Sequence, residues 1–237
     1  MAAVISRDLS HTLGDTLAQS LARNCATLLA ESQSRRFGQF IDCLKASPGR
    51  DSRNAAYQRS IRYARTFFGR CVVDVEEIGT GKSRVTEVTG MHPLEEGSGR
   101  MVFRCVQVTA RHPGDIRHRV IGSVISTHAI QRLIQDLHTD DPATMAKIFY
   151  GHACEAANDV PDGWPINREW MTVDEQGIGV WVRMETPEGV TPSQDHRGSP
   201  SWMLMATWIP AASATHGPYG RAMQRYREGL DVNTLKC

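Results

Sequence analysis

The feature that most constrains this chain is a change in the spacing of its apolar residues near position 70. Before it, Leu13, Leu17, Leu21 and Leu28 recur at helical intervals, and Leu29, Phe37, Phe40, Ile41 and Leu44 continue the apolar surface. This spacing predicts a helix over 9–45, broken by Ser47-Pro48-Gly49. A second helix is predicted over 51–68, capped by Asp51 or Ser52, with Tyr57, Ile61, Ala64 and Phe68 as its buried stripe.

Beyond 70 the spacing becomes that of strands. Residues 71–75 and 84–88 are β-rich and flank a glycine-containing turn, which predicts a hairpin. Residues 101–108 and 119–125 give a third and a fourth strand. A helix opens at Ser126 or Thr127 and runs to about His138. Another starts at Asp141-Pro142 and runs to about Asn158, since proline suits the first helical position. Strands near 169–173, 178–185 and 201–209 follow, and a helix over 218–229 comes last. This order predicts an α+β fold: N-terminal helices, an antiparallel sheet with two short helices inserted after the strand that leads to His128, and a C-terminal helix. It also divides the chain into a helical basic segment at 1–70 and an α+β domain at 71–237.

Charge follows the same division. Residues 1–70 carry 11 basic and 5 acidic side chains, and the remainder carries 16 and 21, although the whole 237-residue chain sums to +1. Such opposite halves suit an intramolecular face or a basic arm for an anionic partner. A charged fraction of 22% and a hydrophobic fraction of 41% exclude a wholly disordered or collagen-like chain. No run of about 18 apolar residues exists, so no membrane span is expected. The N-terminus lacks a basic start followed by an unbroken apolar stretch, and the six cysteines are scattered without a CxxC pair. These features predict a cytoplasmic protein with reduced thiols and no zinc site, and imply no metal or cofactor.

Four stretches bear on chemistry. Gly79-Thr80-Gly81-Lys82-Ser83 lacks the first glycine of a phosphate loop, because position 76 is Glu, and is expected to be a β-turn. His152 shares a helix face with Met145, Ile148, Phe149 and Ala156, which predicts a core histidine turned away from Cys154. The helix over 51–68 interleaves Arg59 and Arg62 with Tyr57, Tyr63, Phe67 and Phe68, so RNA binding competes with a solvated arginine face over core aromatics. In Ser126-Thr127-His128-Ala129-Ile130-Gln131-Arg132-Leu133, the buried stripe is Ile130, Leu133, Ile134 and Leu137. His128, Arg132 and Gln135 then fall on the opposite face. At a first helical turn the dipole disfavours imidazolium, so His128 can serve as a base toward a ribose hydroxyl while Arg132 holds a phosphate.

Residues 126–132 resemble the S-x-H-A-x-x-R opening of small bacterial domains related to the BrnT and RelE toxins. The order of elements over 120–210 matches that of these domains. Where they continue with a second arginine and a glycine, this chain has Gln135-Asp136-Leu137-His138, and residues 1–118 have no counterpart. The resemblance implies an RNA-cleaving toxin or defence effector that works without metal. It carries His128 and Arg132 over as catalytic positions. Arg119, Gln135, Arg59 and Arg62 are the candidates for holding substrate. The group that protonates the leaving oxygen stays open among His118, Arg119, His138 and His216.

A second class is a non-enzymatic protein-binding subunit of a larger assembly, an inhibitor or an adaptor, anchored by Trp164, Trp170, Trp181, Trp202 and Trp208, and in either class an antitoxin or an assembly subunit is the expected protein partner. A thiol hydrolase using Cys154 has the least support, because no base is paired with it.

Overall fold

The computed structural model of the chain describes residues 15–46, 52–94, 100–113, 115–137, 141–161, 164–185 and 202–233. Two helices, α1 (Asp15–Lys45) and α2 (Arg53–Phe67), precede the strands β1 (Val72–Ile78), β2 (Val85–Pro93), β3 (Met101–Thr109) and β4 (Ile116–Ile125). Then come α3 (Thr127–Leu137), α4 (Pro142–Asp159), β5 (Trp170–Val173), β6 (Gly177–Met184), β7 (Trp202–Pro210) and α5 (Gly217–Arg227). The fold class is α+β, with its elements in the order the sequence predicts. No helix among the described residues is long and apolar enough to cross a membrane.

All seven strands belong to one sheet, in the order β1-β2-β3-β4-β7-β6-β5. The expectation of an antiparallel sheet needs one correction: β4 and β7 run parallel, pairing Ser123 with Met203, Val124 with Leu204 and Ile125 with Met205. The reason is the path of the chain. After α3 and α4 it enters the far edge as β5 and works back through β6, so β7 closes the gap beside β4.

Strand alternation gives each face its own cover. Thr86, Val88, Val106 and Val108 lie under α2 and the C-terminal half of α1, where Tyr57, Ile61 and Ala64 meet Phe37, Phe40 and Leu44. Ser123 and Thr172 face α4: Ser123 Oγ donates to Ala153 O at 3.0 Å, and Thr172 Oγ1 lies 2.8 Å from His152 Nδ1. In β5, Met171 and Val173 alternate with Thr172 and pack instead against Ala222 and Met223 of α5.

Two expected stripes shift. In α1 the buried line is Ala22, Ala26, Leu29, Gln33, Phe37, Phe40 and Leu44, while Leu28 is exposed. Ala22 and Ala26 share a cluster with α3 together with Leu29, and small residues there let the two helices approach closely. The expected first residues of this helix, 9–14, lie outside the described residues. Phe68 is exposed at the C-cap of α2, beneath Lys147 Nζ at 5.8 Å.

Gly90 shows how tightly α1 lies on the sheet. A Cβ there would sit 2.5 Å from Phe37 Cε2 and 2.6 Å from Cys71 O, while one at Gly38, within α1, would meet nothing within 4 Å. We expect Gly90→Ala to destabilise the protein by roughly 1–3 kcal/mol, lowering Tm by ~2–4 °C per kcal/mol. Gly38→Ala should add about 0.5–1 kcal/mol. Thermal melts of the two variants check this, and equal shifts would contradict the packing described.

Candidate functional site

The segment 126–132 forms a strand-to-helix junction. Ser126 Oγ accepts from Ala129 N at 3.0 Å, capping α3, and donates to Ala206 O of β7 at 3.1 Å. The serine therefore has a structural task at this junction. His128 is exposed in the first turn of α3. Arg132 and Gln135 are half-buried, and Arg132 Nη2 lies 3.1 Å from Asp136 Oδ2, one turn along the same helix. The guanidinium expected to hold a phosphate thus already faces a carboxylate. Neither of the two clefts described below is lined by His128 or Arg132.

The other substrate-holding candidates lie elsewhere. Arg59 and Arg62 are on α2, which meets α1 through Phe37, Phe40 and Leu44, whereas α3 shares a core cluster with Ala22, Ala26 and Leu29. From Ala26 to Phe40 a helix rises about 20 Å, so α1 holds the arginines of α2 well apart from His128. Arg119 is paired with Cys105 in β4. His118, largely exposed on β4 next to it in sequence, has its pKa lowered by partial desolvation and by the nearby cations Arg104 and Lys45. The aromatics of α2 are largely used by the fold: Tyr57 is buried, and Tyr63 and Phe67 pack against the same cluster. They are core residues rather than a platform for bases. Four of the five tryptophans are likewise buried, and Trp164 stacks edge-on against Trp170.

What the structure does assemble is a basic cleft of about 710 Å³ at one end of the sheet. Three segments reach it: Arg53 and Asn54 at the start of α2, Gly81 to Arg84 in the β1–β2 turn, and Ala110 and Arg111 after β3. Gly79 and Gly81 have φ of 78° and 57°, a left-handed backbone that glycine adopts without strain, and the expected β-turn closes as a single 3-10 turn over Gly81–Ser83. Four cations, Arg53, Lys82, Arg84 and Arg111, line the cleft, and no carboxylate does so among the described residues. Arg84 is held in place. Its guanidinium lies 4.9 Å from the centre of the Tyr57 ring and 3.7 Å from Glu77 Oε2, and its Nε is buried without a hydrogen-bond partner. Sequence reading treated these residues separately, as a turn and a helix face. The available signal was topological: in an up-and-down meander the β1–β2 and β3–β4 turns emerge at the same end.

A second cleft, of about 570 Å³, has the opposite character. Glu155, Asp159 and Asp231 line it together with Trp170 and Tyr226. Burial, reinforced by Asp159 and Asp174, pushes the Glu155 carboxyl up to about 7. His152 lies behind it, buried as its helix face predicts. Thr172 Oγ1 accepts from Trp181 Nε1 at 2.8 Å and lies 2.8 Å from His152 Nδ1, closer than the 3.5 Å to Gly179 O. The other ring nitrogen, Nε2, lies 3.4 Å from Asp174 Oδ2. Burial lowers the His152 pKa and Asp174 partly offsets this. Among the described residues no group of three or more His, Cys, Asp or Glu is arranged to hold a metal ion. Comparison with family models, with curated proteins and with solved structures found no match.

The acidic cleft makes stability depend on pH in a definite sense. Folded Glu155 holds its proton more tightly than the ordinary value of 4.5, so its contribution is full below 4.5 and is lost as pH rises through about 7. His152 acts oppositely, because acidification below 6.5 protonates the unfolded chain first. Glu155→Gln should therefore melt above wild type at about pH 8, with the two converging near the unfolded pKa. Parallel melting curves across this range would contradict the assignment.

Proposed function

We propose that this protein binds RNA, with the basic cleft between the start of α2, the β1–β2 turn and Arg111 as its primary contact. The observation that carries the reading is the convergence of four cations on one concavity without a lining carboxylate among the described residues. Phosphate contacts supply the sequence-independent part of RNA affinity, and guanidinium and ammonium groups provide them. Arg62 and Arg65 are exposed further along α2 but do not line the cleft. The likeness of residues 126–132 to the opening of toxin domains that act on RNA supports the same ligand class. Cleavage by His128 and Arg132 has weaker support than binding, since Asp136 competes for the guanidinium. A role as a protein-binding subunit also has less, since most of the tryptophans expected to anchor a partner lie inside.

The test is a titration of a single-stranded RNA labelled at its 3′ end, followed by fluorescence anisotropy between roughly 50 and 200 mM salt. Wild-type affinity should fall steeply with salt. The double variant Arg53→Ala, Lys82→Ala should bind about tenfold or more weakly, with the salt slope reduced by about two. His128→Ala should bind as wild type. Salt-independent binding, or equal affinity of the double variant, would overturn the reading. Expression of wild type, His128→Ala and Arg132→Ala in bacteria, with growth and RNA integrity as readouts, tests cleavage separately: identical behaviour of all three removes it.

A further inference from the structure

We infer that the basic cleft recognises the terminal phosphate of an RNA strand, a monoester, in preference to an internal phosphodiester. The inference rests on the RNA-binding reading above and adds which part of the RNA the cleft holds.

The argument begins with how the charge is arranged. A surface that tracks a nucleic-acid backbone spreads its cations along a groove, one per phosphate or so. Here Arg53, Lys82, Arg84 and Arg111 come from three separate chain segments and meet at one cleft. Among the described residues only Arg84 of the four has an ion pair within 4 Å, at 3.7 Å to Glu77, so the cleft carries roughly three positive charges without a paired carboxylate there. A phosphodiester brings a single negative charge. A terminal monoester brings close to two near neutral pH, with three oxygens that accept hydrogen bonds.

Hydrogen-bond capacity points the same way. Ser52 Oγ accepts from Ala55 N at 3.3 Å and Ser52 O from Ala56 N at 3.0 Å. The amides of Arg53 and Asn54, the first two residues of α2, lie outside the helix's own ladder, as first-turn amides do. They stand where the helix dipole is positive. Arg84 adds rigidity, since the Tyr57 ring supports its guanidinium at 4.9 Å. Its buried Nε has no hydrogen-bond partner. Two first-turn amides, a supported guanidinium and three exposed cations lining the same cleft match a group with three acceptor oxygens and two charges. Gly81-Lys82-Ser83 joins this site through the hairpin turn, without the strand–loop–helix setting of a nucleotide phosphate loop.

The experiment uses the full chain and RNA strands of one sequence with a 5′-phosphate, a 5′-hydroxyl or a 3′-phosphate, competed against a labelled strand, with adenosine monophosphate as the free-nucleotide probe. At least one phosphorylated end should bind about tenfold or more tightly than the hydroxyl strand. That preference should fall toward one in Lys82→Ala and in Arg111→Ala, whose side chains are exposed and whose folding is verified by circular dichroism. Equal affinity for phosphorylated and hydroxyl strands overturns the inference and leaves RNA binding standing. Adenosine monophosphate binding as tightly as the phosphorylated strand also overturns it, because the cleft would then hold a free nucleotide. Failure of every strand to bind overturns the RNA reading itself.

Discussion

The sheet is held together at its centre by a short parallel contact. Three residue pairs, Ser123–Met203, Val124–Leu204 and Ile125–Met205, join the meander β1–β4 to the meander β5–β7. The contact is reinforced just beyond its end. Ser126 N donates to Met205 O at 3.3 Å, and Ser126 Oγ donates to Ala206 O while capping α3. On the adjoining face Ser123 Oγ fastens α4 to β4. A strand pair this short is sufficient because Ile125, Met203 and Met205 lie in one apolar cluster with residues of α1, α3 and α4, so that burial completes what three pairs begin.

This arrangement places the functional candidates at different parts of the molecule. The central junction presents His128 on α3 but also supplies Asp136 to occupy Arg132. The turns of the first meander, together with the start of α2, bring cations together at the far end of β1 and β3. The end of α4, β5 and the residues from Tyr226 onward form an acidic cleft at the opposite edge. The spatial division, a basic cleft and an acidic cleft on separate halves of one sheet, does not follow the one in the sequence, since Lys82, Arg84 and Arg111 come from the net-acidic part 71–237 and only Arg53 from the basic part. A polyanion is attracted to one half and repelled by the other, which orients it before any specific contact forms.

Much of the fold was legible because periodicity is a local signal. Tyr57, Ile61 and Ala64 were placed correctly on α2, and the face shared by Ile148, Phe149 and His152 predicted a buried histidine that the structure shows. The parallel β4–β7 pair was not legible, since no local pattern states which strand a later strand will join. Nor was the buried line of α1, where Ala22 and Ala26 matter more than Leu28 because helix approach depends on small size as well as hydrophobicity. For the site, attention went to an imidazole and a guanidinium four residues apart, although Asp136, four residues beyond Arg132 on the same helix, was an equally legible partner. Sequence reading divided the basic cleft between a turn and a helix and left Ala110 and Arg111 aside, and only the path of the chain brings the three segments together.

The most direct test of the account is to locate RNA on the protein. Ultraviolet cross-linking of a bound single strand, followed by mass-spectrometric mapping of the modified peptides, reports the contact surface without any substitution. The account predicts adducts concentrated in the segments around 53–54, 81–84 and 110–111. Adducts confined to 126–137, or lying along the acidic edge near Glu155 and Asp231, would contradict it.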